Sequence, residues 1–387
     1  MATVTPFRAL MYDFAAAGRP EALCCPPYDI IPSAVPYLAA SPYNIIRLEK
    51  PEGERAYASA AGLLAGWKAR GLLRRAEKDA FYAYELGFTH AGKAKSTAGI
   101  FAAVGLREYA EGVIRPHENT LSKAKADRYE LLKATRAQIS PVYAMYGGEA
   151  PAALAALRGR ERPALDFAMP DGVRHRLWIM DDPGECAAVA AFFEGKPLYI
   201  ADGHHRYETA LKARGELGCR RCLMFLADMA QPGLVILPTH RLVLDNGAFD
   251  ESALLRSLGE RYDIEKGAPL EERSFVLITK GGRYLLRFKD MSFNGLEVEE
   301  LHKHIMEPLL GIDAAVQAAG TRLAYTHDEG EAAEAVASGR AVCAFIVNPT
   351  RASQVKTVAD GGGKMPQKST CFYPKLITGP VMYELDS

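Results

Sequence analysis

Residues 198–210, Leu-Tyr-Ile-Ala-Asp-Gly-His-His-Arg-Tyr-Glu-Thr-Ala, decide how this chain is read. Leu198, Tyr199 and Ile200 form a short apolar run of the kind found in a buried strand. Asp202-Gly203 turns the chain, and Tyr207, Ala210 and Leu211 then return at helical spacing. Two histidines and an arginine therefore sit at a strand-to-helix junction. There the unpaired backbone N–H groups and the positive end of the helix dipole favour an anion. Five potentially ionic residues fall between Asp202 and Glu208. Such a run suits a phosphate better than a hydrophobic core.

The same alternation extends outward. Upstream lie a strand near Leu177–Met180 and a helix over Glu185–Glu194; downstream, Leu223–Ala227 and Leu234–Leu237 read as short strands. Strand alternating with helix indicates an α/β core of mixed α+β character. Residues 1–50 are rich in proline and turns and read as ordered loop and short strand. Arg55–Leu73 and Asp127–Ala137 read as helices, and Phe81–Phe88, Ile100–Leu106 and Val142–Tyr146 as strands. The alanine-rich stretch Gly147–Pro163 reads as a surface helix. After Asn246 the pattern restarts with a helix over Ser252–Arg261, a hairpin of Phe275–Thr279 and Tyr284–Phe288, a helix over Val298–Leu309 and a strand at Val342–Val347. Three regions are expected: 1–147, 148–246 and 247–387.

The chain of 387 residues carries zero formal net charge, so no global field draws it to nucleic acid or to an anionic membrane. It has no run approaching the ~20 apolar residues of a membrane span and no secretory leader, which makes the cytoplasm the expected compartment. Seven cysteines, an odd number in a large chain, argue against a disulfide framework. Cys219-Arg220-Arg221-Cys222 lacks the second pair a zinc site needs. His302 and His304, two apart on a helix, face different directions and do not suit a shared metal.

Four segments carry candidate chemistry. In Asp202-Gly203-His204-His205-Arg206, Arg206 can grip phosphate oxygens bidentately and the histidines can donate to them. Gly203 permits close backbone approach. Asp202 is suited to hold Mg²⁺, orient a histidine or take a proton. In Ile114-Arg115-Pro116-His117-Glu118-Asn119-Thr120, Pro116 restricts Arg115 to extended geometry and fixes the loop that follows. A carboxylate at Glu118 can abstract a hydroxyl proton, with Lys123, Lys125 and Arg128 close in sequence. Pro238-Thr239-His240-Arg241 is a loop end that can face phosphate. The glycine-rich tail ending in Lys368-Ser369-Thr370 supplies further positive charge, although the P-loop spacing is absent.

These blocks, together with Pro26-Pro27-Tyr28-Asp29, Met365-Pro366-Gln367-Lys368-Ser369-Thr370 and Phe372-Tyr373-Pro374-Lys375, resemble a family of large bacterial and archaeal proteins long catalogued as a domain of unknown function. The likeness runs in order over nearly the whole chain. The Asp202–Arg206 block also resembles the nucleotide-phosphate motif of the ParB and sulfiredoxin superfamily, which includes free L-serine kinases. That resemblance implies a nucleotide-binding core of this type with added N- and C-terminal elements. It implies Glu118 as the catalytic carboxylate, with Asp202 and His204 assisting and with His117, Gly203, His205, Arg206, His240, Arg241, Lys368, Ser369 and Thr370 addressing phosphates. It implies ATP or ADP as donor, Mg²⁺ as cofactor and L-serine or a similar hydroxyl compound as acceptor. His204 stands where sulfiredoxins carry their catalytic cysteine, which argues against redox chemistry. No basic helix-turn-helix of the ParB kind is found, so nucleic acid is not an expected partner. The alternative is a nucleotide-binding regulator of the same superfamily without kinase activity.

Overall fold

Strand Leu198–Asp202 and the chain around it build a nine-stranded sheet in a mixed α/β fold, seen in a computed structural model that describes residues 2–118, 120, 122–152, 154, 159, 162–245, 247–290, 295–366 and 368–385. The chain divides into two units: Met1–Val235 with Pro374–Ser387, and Ile236–Tyr373.

The sheet of unit 1 contains β1 (Val4–Thr5), β2 (Phe81–His90), β3 (Lys93–Gly105), β4 (Ile114–Arg115), β5 (Val142–Tyr146), β6 (Leu165–Ala168), β7 (Arg174–Met180), β8 (Leu198–Asp202) and β9 (Arg221–Asp228). Their order is β4-β8-β5-β9-β3-β2-β7-β6, with β1 pairing β3. β2 and β3 form a long hairpin across Ala91-Gly92, both at positive φ, as a two-residue hairpin turn matched to strand twist requires. β5 and β8 are apolar nearly throughout and buried on both faces, as inner strands are. Strands from both sides of Gly147-Gly148 lie next to each other here, so the expected separation of 1–147 from 148–246 gives way to one sheet. The reason is that β8 pairs with β4 on one side and β5 on the other. Much of Gly147–Pro163 lies outside the described residues.

The helices α1 (Ala56–Ala69), α2 (Ser122–Thr135) and α3 (His204–Glu216) accompany this sheet. Leu10, Leu23, Ile45, Ile46, Leu48, Leu64, Trp67, Leu131 and Met382 form a buried cluster beside it. Residues 1–50 contain more helix than the proline content suggested: Phe14–Ala17, Pro20–Leu23, Val35–Ala40 and Ile46–Glu49 are short helices. Pro20 and Pro36 occupy the first or second helical position, where a missing N–H costs nothing.

Unit 2 holds a six-stranded sheet of β10 (His240–Val243), β11 (Tyr262–Lys266), β12 (Ser274–Thr279), β13 (Gly282–Phe288), β14 (Leu323–Thr326) and β15 (Cys343–Ile346), ordered β11-β13-β12-β15-β10-β14. The β12–β13 hairpin turns on Lys280-Gly281. The helix read over Val298–Leu309 is interrupted: α-helix at Glu297–Leu301, a π-helical turn at His302–Met306, and α-helix again at Glu307–Leu310. Among the described residues, no helix is long and apolar enough to cross a membrane.

Candidate functional site

The site of unit 1 follows from one pairing. β4 runs parallel to β8, with Ile114 beside Leu198 and Arg115 beside Tyr199. Parallel neighbours end at the same edge. The loop Pro116-His117-Glu118 therefore leaves the sheet next to Asp202-Gly203-His204, although some 85 residues separate the two in sequence.

Two histidines fasten this juncture. The His117 backbone N–H donates to His204 Nε2 at 3.3 Å, and the His117 ring meets the Ile200 carbonyl oxygen through Nδ1 at 2.8 Å. A carbonyl only accepts, so Nδ1 of His117 carries the proton. The two rings stand edge to face, 4.7 Å between centroids. Both side chains are buried. Burial lowers the His117 pKa to about 4, against the opposing pull of the Ile200 carbonyl and of Asp202. Glu118 follows directly on this anchored residue and is half-buried. Asn119 of the same block lies outside the described residues. Farther along, Thr120 Oγ1 donates to Glu208 Oε2 at 2.7 Å and Lys125 Nζ donates to the same oxygen at 2.9 Å, tying the loop and the start of α2 to α3.

The helix start is shaped by Gly203, which sits at φ 90°, ψ 29° in the left-handed region. A β-carbon there would lie 2.9–3.0 Å from Nε, Cζ and Nη2 of Arg206, so the guanidinium folds back over the turn where only glycine leaves room. Gly203 is the N-cap of α3 and has no side chain with which to cap it.

Arg206 donates to the Pro141 carbonyl oxygen and lies 3.6 Å from Asp202 Oδ2. Lys375 Nζ donates to the same oxygen at 3.3 Å. Burial by itself would raise the Asp202 carboxyl, but Lys375, Arg206 and then His204 hold it well below the ordinary carboxylate range. Burial acts to lower the Arg206 guanidinium, yet Asp202, Asp29, Tyr28 and Glu49 outweigh it and keep the charge. Burial likewise lowers His205, against the pull of Glu208 and Asp29.

The Mg²⁺ expected at Asp202 does not fit this arrangement. Its carboxylate already has two cations on one oxygen, and among the described residues no group of three acidic, histidine or cysteine side chains comes together to hold a metal. A hard divalent ion would compete there with two fixed positive charges. Asp202 is the counter-ion of Arg206 and Lys375.

Several contributors carried little signal in the sequence. Lys375 was legible only as one more basic residue of the tail. Glu49 is buried, with Ser140 Oγ donating to Oε1 at 2.8 Å and with Oε2 lacking a hydrogen-bond partner. Arg128 Nη1 donates to the Glu49 carbonyl at 2.7 Å, and its guanidinium lies 4.0 Å over the ring of Tyr28. Glu49, Arg128, Ser140, Arg206 and Thr209 line a cavity of about 40 Å³, room for a few waters.

The remaining predicted residues belong to unit 2, where they meet one another. His240 and Arg241 are buried on β10. Arg241 Nη1 donates to the Thr239 carbonyl and Nη2 to the Lys368 carbonyl at 3.4 Å. Ser369 is buried, its hydroxyl donating to the Pro366 carbonyl at 2.5 Å, and its own carbonyl accepts from Thr350 Oγ1. Thr370 follows it, half-buried; Gln367 lies outside the described residues. Cys219 and Cys222 are buried thiols outside any disulfide, and burial raises Cys222 well above the ordinary thiol range. His302 is buried, while His304 Nε2 lies 3.5 Å from Glu300 Oε2.

Residues 4–314 match the family described as "Protein of unknown function (DUF1015)". The chain belongs to the DUF1015 family. Among solved structures, this DUF1015 chain is similar to a free serine kinase in complex with AMP, at 16% identity and a TM-score of 0.42, over 74% of this chain and 91% of that one. It is similar also to a conserved hypothetical protein from Pyrococcus furiosus, at 16% identity and a TM-score of 0.39, over 74% and 95% of the two chains. A third is SbnI with C-terminal truncation from Staphylococcus aureus, at 12% identity and a TM-score of 0.41, over 73% and 86%. No curated protein matches the chain.

Proposed function

We propose that this DUF1015 protein is a nucleotide-dependent kinase that transfers a phosphoryl group to the hydroxyl of free L-serine, giving O-phospho-L-serine. The observation that supports this reading is the adjacency of the Glu118 loop to the start of α3, which bears Arg206, brought about by the parallel β4–β8 pair and the His117–His204 hydrogen bond. The resemblance of Asp202-Gly203-His204-His205-Arg206 to the phosphate motif of the ParB and sulfiredoxin superfamily points the same way.

Phosphoryl transfer needs alignment and charge stabilisation more than covalent help. Phosphate oxygens of ATP or ADP take the first-turn N–H groups of α3, with the Arg206 guanidinium and His205 alongside. Glu118 accepts the proton of the attacking hydroxyl as the oxygen bonds to phosphorus and the nucleotide leaves with the electron pair of the broken P–O bond. His117 and His204 position the Glu118 loop, through the bond from the His117 backbone N–H to His204 Nε2 and the bond from the His117 ring to the Ile200 carbonyl of β8. Asp202 and Lys375 set the orientation of Arg206.

Incubation with L-serine and Mg²⁺ and either ATP or ADP, followed by mass spectrometry, tests the reading. O-Phosphoserine formed in proportion to enzyme supports it. Nucleotide binding without phosphorylation of serine or other small hydroxyl compounds overturns it in favour of a nucleotide-binding regulator.

A further inference from the structure

A charged side chain is expensive to bury unless an opposite charge accompanies it, and buried polar atoms are almost always hydrogen-bonded. Arg241 departs from both rules. It is 1% exposed, the largest fully buried side chain among the described residues. Its two terminal nitrogens reach only backbone carbonyls, those of Thr239 and Lys368, and its Nε has no hydrogen-bond partner. The guanidinium lies 5.8 Å from the centre of the Tyr325 ring, and among the described residues no carboxylate pairs with it. Burial accordingly lowers its pKa to about 10, with Tyr325 alone pulling the other way.

Two further residues of unit 2 share this condition. Thr239 Oγ1 is buried without a partner, and so are both ring nitrogens of His302. His302 opens the π-helical turn of unit 2 and feels the Arg241 charge; burial and that charge keep its ring neutral at ordinary pH. A neutral imidazole always has one N–H to donate and a hydroxyl has another. The orphaned atoms of these three residues thus add up to one fixed positive charge and two neutral donors, with no acceptor of matching charge. The Nε side of a guanidinium is the edge that takes two oxygens at once.

We infer that Arg241, His302 and Thr239 form an oxyanion site in unit 2, taking a phosphate or carboxylate group on the Nε edge of Arg241. The segment bearing Lys368 lies against Arg241 through its carbonyl, and Gly361–Lys364 and Lys368 within it are exposed. The inference uses residues of unit 2 alone, none of which the proposed kinase mechanism assigns.

Isothermal titration of the full chain with inorganic phosphate and, separately, with acetate tests it, at constant ionic strength. Wild type, Arg241→Met and His302→Gln are compared. Saturable binding of either anion is expected in wild type. It should weaken at least tenfold in Arg241→Met and severalfold in His302→Gln. The arm that binds more tightly tells phosphate from carboxylate. Thermal unfolding without added anion gives a second readout. Arg241→Met should be as stable as wild type or more so, because an apolar side chain replaces an unpaired buried charge. If Arg241→Met does not fold, the removal of Arg241 is shown to break structure, and His302→Gln decides the binding question alone. No saturable binding, or equal binding in His302→Gln and wild type, overturns the inference. Phosphate binding lost through these variants in a protein without kinase activity would retain this site and discard the kinase; serine phosphorylation without it would do the reverse.

Discussion

Asp202→Asn removes one charge while keeping nearly the same shape, and its consequence can be worked from the cluster around it. Lys375 Nζ and Arg206 Nη2 lie 3.3 Å and 3.6 Å from the same carboxylate oxygen. At an effective dielectric of about 20, each such contact is worth roughly 5 kcal/mol gross, most of which desolvation cancels. Removing the shared partner leaves two cations facing each other. For a fully buried pair that loss is about 3–5 kcal/mol; with side chains 12–20% exposed, about 2–4 kcal/mol is expected. Lys375→Met should cost less, about 1–2 kcal/mol, because Arg206 still pairs with Asp202. The double variant should depart from additivity by about 1 kcal/mol or more. Urea unfolding followed by tryptophan fluorescence is the assay. Trp67 and Trp178 are the two tryptophans of the chain, both are buried, and both belong to unit 1, so the signal reports this unit alone. The pH dependence carries a sign. Because the Asp202 pKa is depressed on folding, its contribution is fully present above the unfolded value near 4 and is lost as pH falls through the folded value below it. Wild type and Asp202→Asn should therefore converge only in strong acid. Stabilities within about 0.5 kcal/mol of each other at pH 7 would refute the account of Asp202 as the counter-ion that holds this site together.

Other outcomes follow from the same geometry. Glu118→Gln should abolish serine phosphorylation and leave nucleotide affinity within a factor of two or so by calorimetry; unchanged turnover would remove Glu118 from the chemistry. Arg206→Ala should weaken nucleotide binding by about 1.5–3 kcal/mol, the range for a hydrogen bond to a charged group, and equal affinity would exclude it from the phosphate site. Gly203→Ala forces a left-handed backbone and a β-carbon into the Arg206 guanidinium; a loss of about 1–2 kcal/mol in urea unfolding is expected from the backbone alone, together with weaker nucleotide binding. His117 has a folded pKa of about 4 against 6.5, so the unfolded chain binds its proton first as pH drops. Stability should fall from pH 6.5 towards 4, and His117→Gln should flatten that slope by up to about 1.4 kcal/mol per pH unit; identical slopes would contradict burial of a neutral ring.

The strand-turn-helix at 198–216 was legible because its signals are local. An apolar run, a glycine and a helical repeat each report on their own neighbours, and the observed strand and helix agree with them closely. The β5 strand was legible for the same reason. The short helices before residue 50 were not, because proline at a first helical turn and proline in a loop look alike until the chain around them is placed. The π-helical turn at His302–Met306 was also hidden, since it leaves the apolar periodicity almost intact. Of the site, the residue types at Glu118 and Asp202–Arg206 were visible, but their adjacency rests on a two-residue parallel pairing that no periodicity announces. The role of Asp202 shows the limit most clearly. A carboxylate beside histidines suggests a metal ligand until Lys375, 173 residues away, is found on the same oxygen.

That distant lysine also bears on how the molecule is made. Unit 1 is discontinuous: residues 374–387 return to it after the whole of unit 2 has been synthesised, bringing Lys375 to Asp202, Met382 into the core and Tyr383–Glu384 against Ala137–Gln138. Every residue of unit 2 is therefore in the chain before the segment that closes the larger unit is added. A chain cut after residue 373 would keep every residue of unit 2 and leave the Asp202–Arg206 turn without Lys375, one of the two cations beside its carboxylate. The first half to be translated is thus among the last to be completed, which exposes its sheet to proteases and chaperones longer than its position in the sequence suggests.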